Sequence, residues 1–291
     1  MNPEFKSVAL SGIVQETKNK KYITRIFKLL KDLKLEVFCD SSLRGISSSL
    51  DKHIVTKRNI LNKSDLLISV GGDGAMLNNC KRLGFDGLPV LGINLGTLGF
   101  LTDIQTEELE PRLKEVLKGK YVLDKRPFLK AYLNNKEIDS VSLNEIVLHS
   151  GSVAQMIEFS LYIDNSFVYK QKADGLIIFS PTGSTAYSLS GGGPLIDPAL
   201  NLIGIMPMFP HSLNTTPILI GDHKEIRIDV HKNFRGQKSE LSFDSQVNLV
   251  LNKDCSLKII RTENEINLVH PVDDDFFARC RNKLGWGQSI T

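Results

Sequence analysis

Where glycines surround a carboxylate at the end of an apolar run, a chain can handle phosphate, and this 291-residue sequence has that arrangement at Gly71-Gly72-Asp73-Gly74, directly after Leu66-Leu67-Ile68-Ser69-Val70. Without Cβ atoms the glycines can take positive φ and let a phosphate or ribose approach the backbone, while Asp73 is the charged side chain at hand. Phosphoryl transfer depends on in-line positioning and charge neutralisation. One carboxylate, backbone N–H groups and a Mg²⁺ on the donor therefore suffice. Taken alone, the tetrapeptide reads equally well as a turn aspartate beside a tight loop. Neither a Gly-x-x-x-x-Gly-Lys-Ser/Thr run nor a Gly-x-Gly-x-x-Gly is present, so the phosphates must be held another way.

A longer segment, Ala173-Asp174-Gly175 through Phe179-Ser180-Pro181 to Gly191-Gly192-Gly193-Pro194, follows a hundred residues later. Within it Thr182-Gly183-Ser184-Thr185-Ala186-Tyr187 sets small hydroxyls beside an aromatic, which suits an adenine and diphosphate site, although a Ser/Thr-rich turn has the same composition. Gly191-Gly192-Gly193 offers bare backbone to phosphate, or a flexible turn before Pro194. Asn144-Glu145 ends an alternating run and, taken alone, is a strand-edge polar pair. Asp244, before Ser245-Gln246, is placed near donor phosphates and their metal, with a β-turn aspartate as the competing reading.

These segments, with Asn94-Leu95-Gly96-Thr97-Leu98-Gly99-Phe100-Leu101-Thr102, Leu143-Asn144-Glu145, Met206-Pro207-Met208-Phe209-Pro210-His211-Ser212-Leu213 and Ser242-Phe243-Asp244-Ser245-Gln246, occur in the order found in NAD kinases, which the chain resembles from about Asp65 to Gln246. The Gly-Gly-Asp-Gly loop is shared with lipid kinases and phosphofructokinases; the Asp174 to Pro194 segment is far more specific. The resemblance implies a kinase that moves the γ-phosphate of ATP, with Mg²⁺, to the 2′-hydroxyl of the adenosine ribose of NAD, yielding NADP. It implies that Asp73 orients and deprotonates that hydroxyl, with Gly72 and Gly74 at the phosphates. Phe100 would close over the adenine, Asn144 would bind near the adenine and Glu145 at the ribose. An amide both donates to and accepts from a base edge, and a carboxylate accepts from two hydroxyls. By the same resemblance Thr182, Thr185 and Ala186 line the adenine pocket, Tyr187 and Ser190 contact the NAD phosphates, Asp174 meets the nicotinamide end, and His211 supports the site. A homo-oligomer, tetramer or dimer, is implied as well.

The sequence departs from the commonest family pattern at several positions. Ala75 stands for Thr, Phe179-Ser180 for Ser-Thr, Gly191 for Ala, Thr216 for an Arg before Pro217, and Ser245 for Gly. Positions 75 and 216 keep a non-catalytic NAD(P)-binding regulator open as an alternative, beside a lipid or sugar kinase of the same loop superfamily.

The elements that carry these residues change character along the chain. Val8-Ala9-Leu10 followed by Ile23, Ile26, Phe27, Leu30 and Leu33 reads as strand then amphipathic helix. Leu66–Val70 and 89–93 are further buried strands, with a helix from Ala75 to Leu83 between them. This βαβ alternation predicts an α/β domain with a parallel sheet over residues 1–125. Thr106 is expected to cap a helix running to about Lys118 and bridging the domains. After Pro127 the period is two: Ile157, Phe159, Leu161 and Ile163 alternate with polar neighbours, and Asp164-Asn165-Ser166 supplies a turn. A β-rich NAD-binding domain is expected over 126–270, with 271–291 a helical tail returning to the first.

The net charge of +3 is too mild for a nucleic-acid surface. Cys39, Cys80, Cys255 and Cys280 form no Cys-x-x-Cys pair, so a reduced, cytoplasmic protein without a disulfide framework or zinc site is expected, and the histidines show no ligand spacing. The N-terminus lacks a charged-then-apolar leader. No apolar run approaches the ~20 residues of a membrane helix.

Overall fold

A computed structural model describes residues 4–12, 17–96, 99–151, 155–212, 214–231, 238–251 and 254–287. Thr97, Leu98 and Leu213, quoted among the sequence segments above, lie outside these. The chain divides into two units, residues 1–125 with 264–291, and residues 126–263. The return to the first unit thus begins at Asn264, inside the strand Cys255–Pro271, rather than at 271.

In the first unit the strands Glu36–Cys39, Ser7–Gly12, Leu66–Val70 and Val90–Ile93 lie side by side and parallel, and Leu268 and Val269 pair parallel with Val90 and Leu91. Strands buried on both faces read as continuous apolar runs, and Leu66–Val70 is buried throughout. Strand order reverses at Ser7–Gly12, which has the next two strands of the chain on opposite sides. The carboxyl ends of Ser7–Gly12 and Leu66–Val70 therefore flank a switch point, and Gly71–Gly74 leaves from it. The helix Thr17–Asp32 covers the sheet with Ile23, Ile26, Phe27 and Leu30, which join Leu10, Ile68 and Ile93 in one core.

The helix after the glycine loop starts at Asp73, not Ala75, and runs to Asn79 before a wider turn over Cys80–Gly84. A buried polar cluster holds it: Ser11 donates to Asn79 Oδ1 at 3.0 Å, and Asn79 Nδ2 donates to Ser69 Oγ at 2.8 Å. Arg82 forks onto buried Asp40 at 2.9 and 2.8 Å. Burial would raise the Asp40 pKa, but the hydrogen bonds from Arg82 and Ser42 outweigh it and the net shift is downward.

The expected Thr106-capped helix forms later, over Leu109–Leu117, because Thr106 turns its hydroxyl to Glu107 Oε1 instead of capping. Leu109, Leu113 and Val116 sit in the first unit's core. The terminal helix Phe276–Leu284 also belongs here, capped by Asp275, which accepts from the N–H groups of Phe277 and Ala278, and closed by Gly285 at φ 64°.

The second unit is a pair of antiparallel sheets. One has the order Ile218–Gly221, Leu202–Met208, Gly175–Phe179, Glu145–His149, Ser239–Phe243, Val247–Leu251. The other includes Ile226–His231 between Ile157–Ile163 and the start of Cys255–Pro271. Ile146, Leu148, Leu176 and Ile178 of the first meet Phe159, Leu161, Ile228 and Leu257 of the second in one core. Asp164 and Asn165, at φ 48° and 66°, make the tight turn between Ile163 and Ser166.

A buried charge cluster anchors the terminal helix. Arg279, itself buried, donates to Asp103 Oδ1 at 2.6 Å and to Asp274, and His270 Nδ1 pairs with Asp103 Oδ2 at 2.6 Å. Burial alone would keep the imidazole neutral, but Asp103, with Asp124 at 3.6 Å from Nε2, raises its pKa from 6.5 to about 9. A folded-state pKa above the unfolded one gives stability that is full below pH 6.5 and lost as the pH rises through about 9. The urea midpoint of the first unit is accordingly expected to fall across that window. His270→Gln should flatten the profile, and an identical slope in this variant would remove the histidine from the account.

Candidate functional site

Asp73 stands at the start of its helix, half-buried, with Gly72 and Gly74 exposed on either side. Gly71 is at φ 151°, and a Cβ there would lie 2.7 Å from that of Ala75, so only glycine lets the strand turn so sharply into the helix. The backbone N–H of Phe100 donates to Asp73 Oδ2 at 2.9 Å, and that of Leu101 to Oδ1 at 3.0 Å. Both donors are delivered by the segment after Val90–Ile93, which folds back on that strand: Asn94 donates to Ile104 O at 2.8 Å, and a Cβ on Gly92 would meet Leu101 O at 2.8 Å. A Cβ on Gly99 would fall on Asp73 Oδ1, so the close approach of carboxylate and loop requires glycine there. The Lys283 ammonium, from the terminal helix, lies 3.2 Å from Asp73 Oδ2 and 4.5 Å from the centroid of the Phe100 ring. Asp73, Phe100, Gly72 and Gly74 are thus gathered in one place. Gly99 and Lys283 are the additions that sequence reasoning missed.

The second unit holds the other expected residues. Asn144 and Glu145 are buried at the start of Glu145–His149. The N–H groups of Asn144 and Glu145 donate to Asp244 Oδ1 at 2.9 and 3.1 Å, and that of Leu143 to Oδ2 at 3.0 Å. Asp244 is itself buried, so its carboxylate points into the protein and holds the Leu143–Glu145 backbone. Backbone N–H groups thus stand at the carboxylate for which donor phosphates and a metal were expected. Asp244 and Ser245 take φ 49° and 54°, a left-handed pair in which Ser245 bears the strain that a glycine would avoid.

The hydroxyl-rich segment also looks inward. Ser180 Oγ donates to Leu143 O at 2.5 Å and accepts from Gly183 N at 3.2 Å, while Ser188 Oγ donates to Gly183 O at 2.9 Å. A Cβ on Gly183 would lie 2.2 Å from Asn144 O, so the turn can abut Asn144 only as glycine. Buried Arg126, which carried no signal in the sequence, donates to Thr182 Oγ1 at 3.0 Å, and Thr185 Oγ1 donates to Thr182 O at 3.3 Å. Ala186 is half-buried, and Tyr187 and Ser190 are exposed.

Because side chains alternate along a strand, Val147 and His149 lie on the same face as Glu145, opposite the sheet-to-sheet core. A cavity of about 530 Å³ opens there, lined by Val147, His149, Asp174, Tyr187, Met208 and Ser242 among others. A neighbouring cavity of about 440 Å³ shares Tyr187 and Met208 and adds Ser190, Gly191 and Met206. Asp174 and Tyr187 thus meet at the first, and Tyr187 and Ser190 at the second. His211 lines neither; it is exposed, and its N–H donates to Lys172 O at 2.9 Å.

Among the described residues, Asp103, His270 and Asp274 could by proximity hold a metal ion. Arg279 already donates to both carboxylates, so a fixed cation fills that place.

Comparison with known proteins gives this geometry its context. Residues 7–121 match the family of the ATP-NAD kinase N-terminal domain and residues 143–271 that of the ATP-NAD kinase C-terminal domain. An NAD kinase of Teredinibacter turnerae is 39% identical over 285 residues, covering 97% of each chain. One of Pseudomonas aeruginosa is 39% identical over 290 residues, covering 98% of each. Among solved structures, an NAD kinase from Archaeoglobus fulgidus in complex with ATP aligns with a TM-score of 0.75 at 25% identity, over 96% of this chain and 98% of that one. Yeast NADH kinase complexed with NADH aligns with a TM-score of 0.88 at 24% identity, over 100% and 90%, and shares the two-domain fold.

Asp244→Asn tests the inward role of that carboxylate. One acceptor oxygen becomes a donor facing backbone N–H groups, which should cost about 1–3 kcal/mol. A lowered urea midpoint of the second unit is the expected result, and an unchanged one would return Asp244 to the list of ligand-binding residues.

Proposed function

The chain belongs to the NAD kinase family, and we propose that it transfers the γ-phosphate of ATP to the 2′-hydroxyl of the adenosine ribose of NAD, giving NADP and ADP. The observation that carries the residue assignment is the setting of Asp73. Its carboxylate is oriented by two backbone N–H groups and a lysine, at a loop whose flanking glycines leave the backbone open to phosphate. A carboxylate faced by donors alone is an acceptor for a hydroxyl proton. As the ribose oxygen forms its bond to the γ-phosphorus and the bond to the β-phosphate oxygen breaks, that proton passes to Asp73.

The other roles are assigned in the same reading. Gly72 and Gly74 present backbone to the phosphates, and Phe100 stacks on the adenine. Asn144, Thr182, Thr185 and Ala186 form the adenine surroundings, and Glu145 accepts from ribose hydroxyls. Asp174, Tyr187 and Ser190 grip the rest of the dinucleotide, for which cavities of about 530 and 440 Å³ at Asp174, Tyr187 and Ser190 are of suitable size. Bound to the ATP phosphates, Mg²⁺ would supply charge neutralisation for the transfer. The arginine-filled carboxylate cluster at His270 does not suit a resident metal.

We also read the enzyme as cytoplasmic and homo-oligomeric, as a tetramer or dimer. Free cysteines, three of them buried, support a reduced compartment. Exposed Val247 and Val250 on the edge strand Val247–Leu251 support association. Among the described residues no helix is long and apolar enough to cross a membrane.

A coupled assay of NADP formation with ATP, Mg²⁺ and NAD tests the reading directly. Asp73→Asn keeps the shape of the side chain but not its basicity, and should lower kcat by about 10²–10⁴-fold while NAD still binds. Turnover at the wild-type rate would deny Asp73 its role. The grip along the dinucleotide makes a separate prediction: replacing NAD with AMP should lower kcat as well as raise KM, since remote binding energy positions the reacting hydroxyl. Equal kcat for the two acceptors would contradict it.

A further inference from the structure

Lys283 is separated from Asp73 by 210 positions, yet its ammonium lies 3.2 Å from Asp73 Oδ2 and 4.5 Å from the centre of the Phe100 ring. We propose that Lys283 is a positioning residue of phosphoryl transfer: it occupies Asp73 Oδ2 so that Oδ1 meets the acceptor hydroxyl, and it holds the Phe100 ring against the same site. The proposal rests on the kinase reading above and assigns to the terminal helix a part in the chemistry.

The acceptor count supports it. A carboxylate offers about four lone-pair positions. Among the described residues, Oδ2 takes the Phe100 N–H and the Lys283 ammonium, while Oδ1 takes the Leu101 N–H and keeps one position open. Without the ammonium both oxygens would have one open position, and a hydroxyl could settle on either. With it, the hydroxyl has one place to go.

Stability does not account for the pair. Both side chains are about a third exposed, at 32% and 30%, and exposed ion pairs contribute little to folding. The helix is nevertheless held in a fixed register. Arg279, one turn before Lys283 on the same helix face, is buried and engaged with Asp103 and Asp274. The fixed guanidinium sets the helix, and the helix delivers the ammonium. Over the aromatic ring that ammonium is further attracted by the π face, so carboxylate, cation and ring are ordered together.

Steady-state kinetics of the full chain with ATP, Mg²⁺ and NAD, on Lys283→Met and Lys283→Arg, test the proposal. Lys283→Met should lower kcat about 10²-fold, the scale of a misplaced reacting group, with the urea midpoint largely unchanged and any rise in KM for NAD, from a loosened Phe100 ring, smaller than the fall in kcat. Lys283→Arg keeps a cation within reach of both the carboxylate and the ring and should recover most of the loss. Wild-type kcat in Lys283→Met would overturn the proposal, as would a rise in KM at unchanged kcat, or a folded Lys283→Arg as slow as the methionine variant. Should Lys283→Met fail to fold, Lys283→Gln carries the same test. An inactive wild type would overturn the kinase reading and this proposal with it, whereas an active wild type with an unaffected variant overturns this proposal alone.

Discussion

A carboxylate can serve as a directed acceptor only if the groups around it leave one lone pair free and fix the others, and this constraint shapes the first unit. Asp73 obtains its two N–H donors from residues 100 and 101, which can reach it only because the strand Val90–Ile93 ends beside Leu66–Val70 and the following segment doubles back over Gly92. Three glycines, at 71, 92 and 99, mark where close approaches leave no space for a Cβ. The parallel sheet thus positions a loop, and the loop positions a carboxylate.

The second unit uses the same device for a different end. Asp244 also collects backbone N–H groups, three of them, but it is buried. What it positions is the peptide run into Asn144 and Glu145. A left-handed φ at Asp244 accompanies these three accepted hydrogen bonds, which offset its cost. Ser180, Ser188 and Gly183 complete the arrangement from the other side, so a segment rich in hydroxyls spends several of them on its own backbone.

The sequence made this distinction hard to see. The local signals were clear. Period-two alternation from Ile157, the Asp164-Asn165 turn and the buried runs at 66–70 and 90–93 state their own conformations, because burial on one face or two dictates the pattern. The Gly-Gly-Asp-Gly loop, taken alone, suited phosphate handling and a tight turn equally. What a local pattern could not report is where a side chain points once its element has packed, so Asp244 in a turn and Asp73 in a loop looked alike. Thr106 failed as a cap for a similar reason: a neighbouring carboxylate, Glu107, took its hydroxyl. Arg126, His270 and Lys283 had no local signature because their partners are far along the chain, Thr182 for the first, Asp103 for the second and Asp73 for the third.

These distant partners share a physical logic. His270, Arg279 and Lys283 all come from the last stretch of the chain, and all three meet carboxylates laid down far earlier, Asp103 for the first two and Asp73 for the third. Burying Arg279 and His270 without those carboxylates would be costly, so the terminal helix has a strong preference for one register and little tolerance for a slipped one. Contacts at such separations carry the entropic cost of closing a long loop, which the pairing of Arg279 and His270 with their carboxylates must offset. The surroundings of Asp73 therefore join the loop at 71–74 to the helix Phe276–Leu284 across 210 positions of chain.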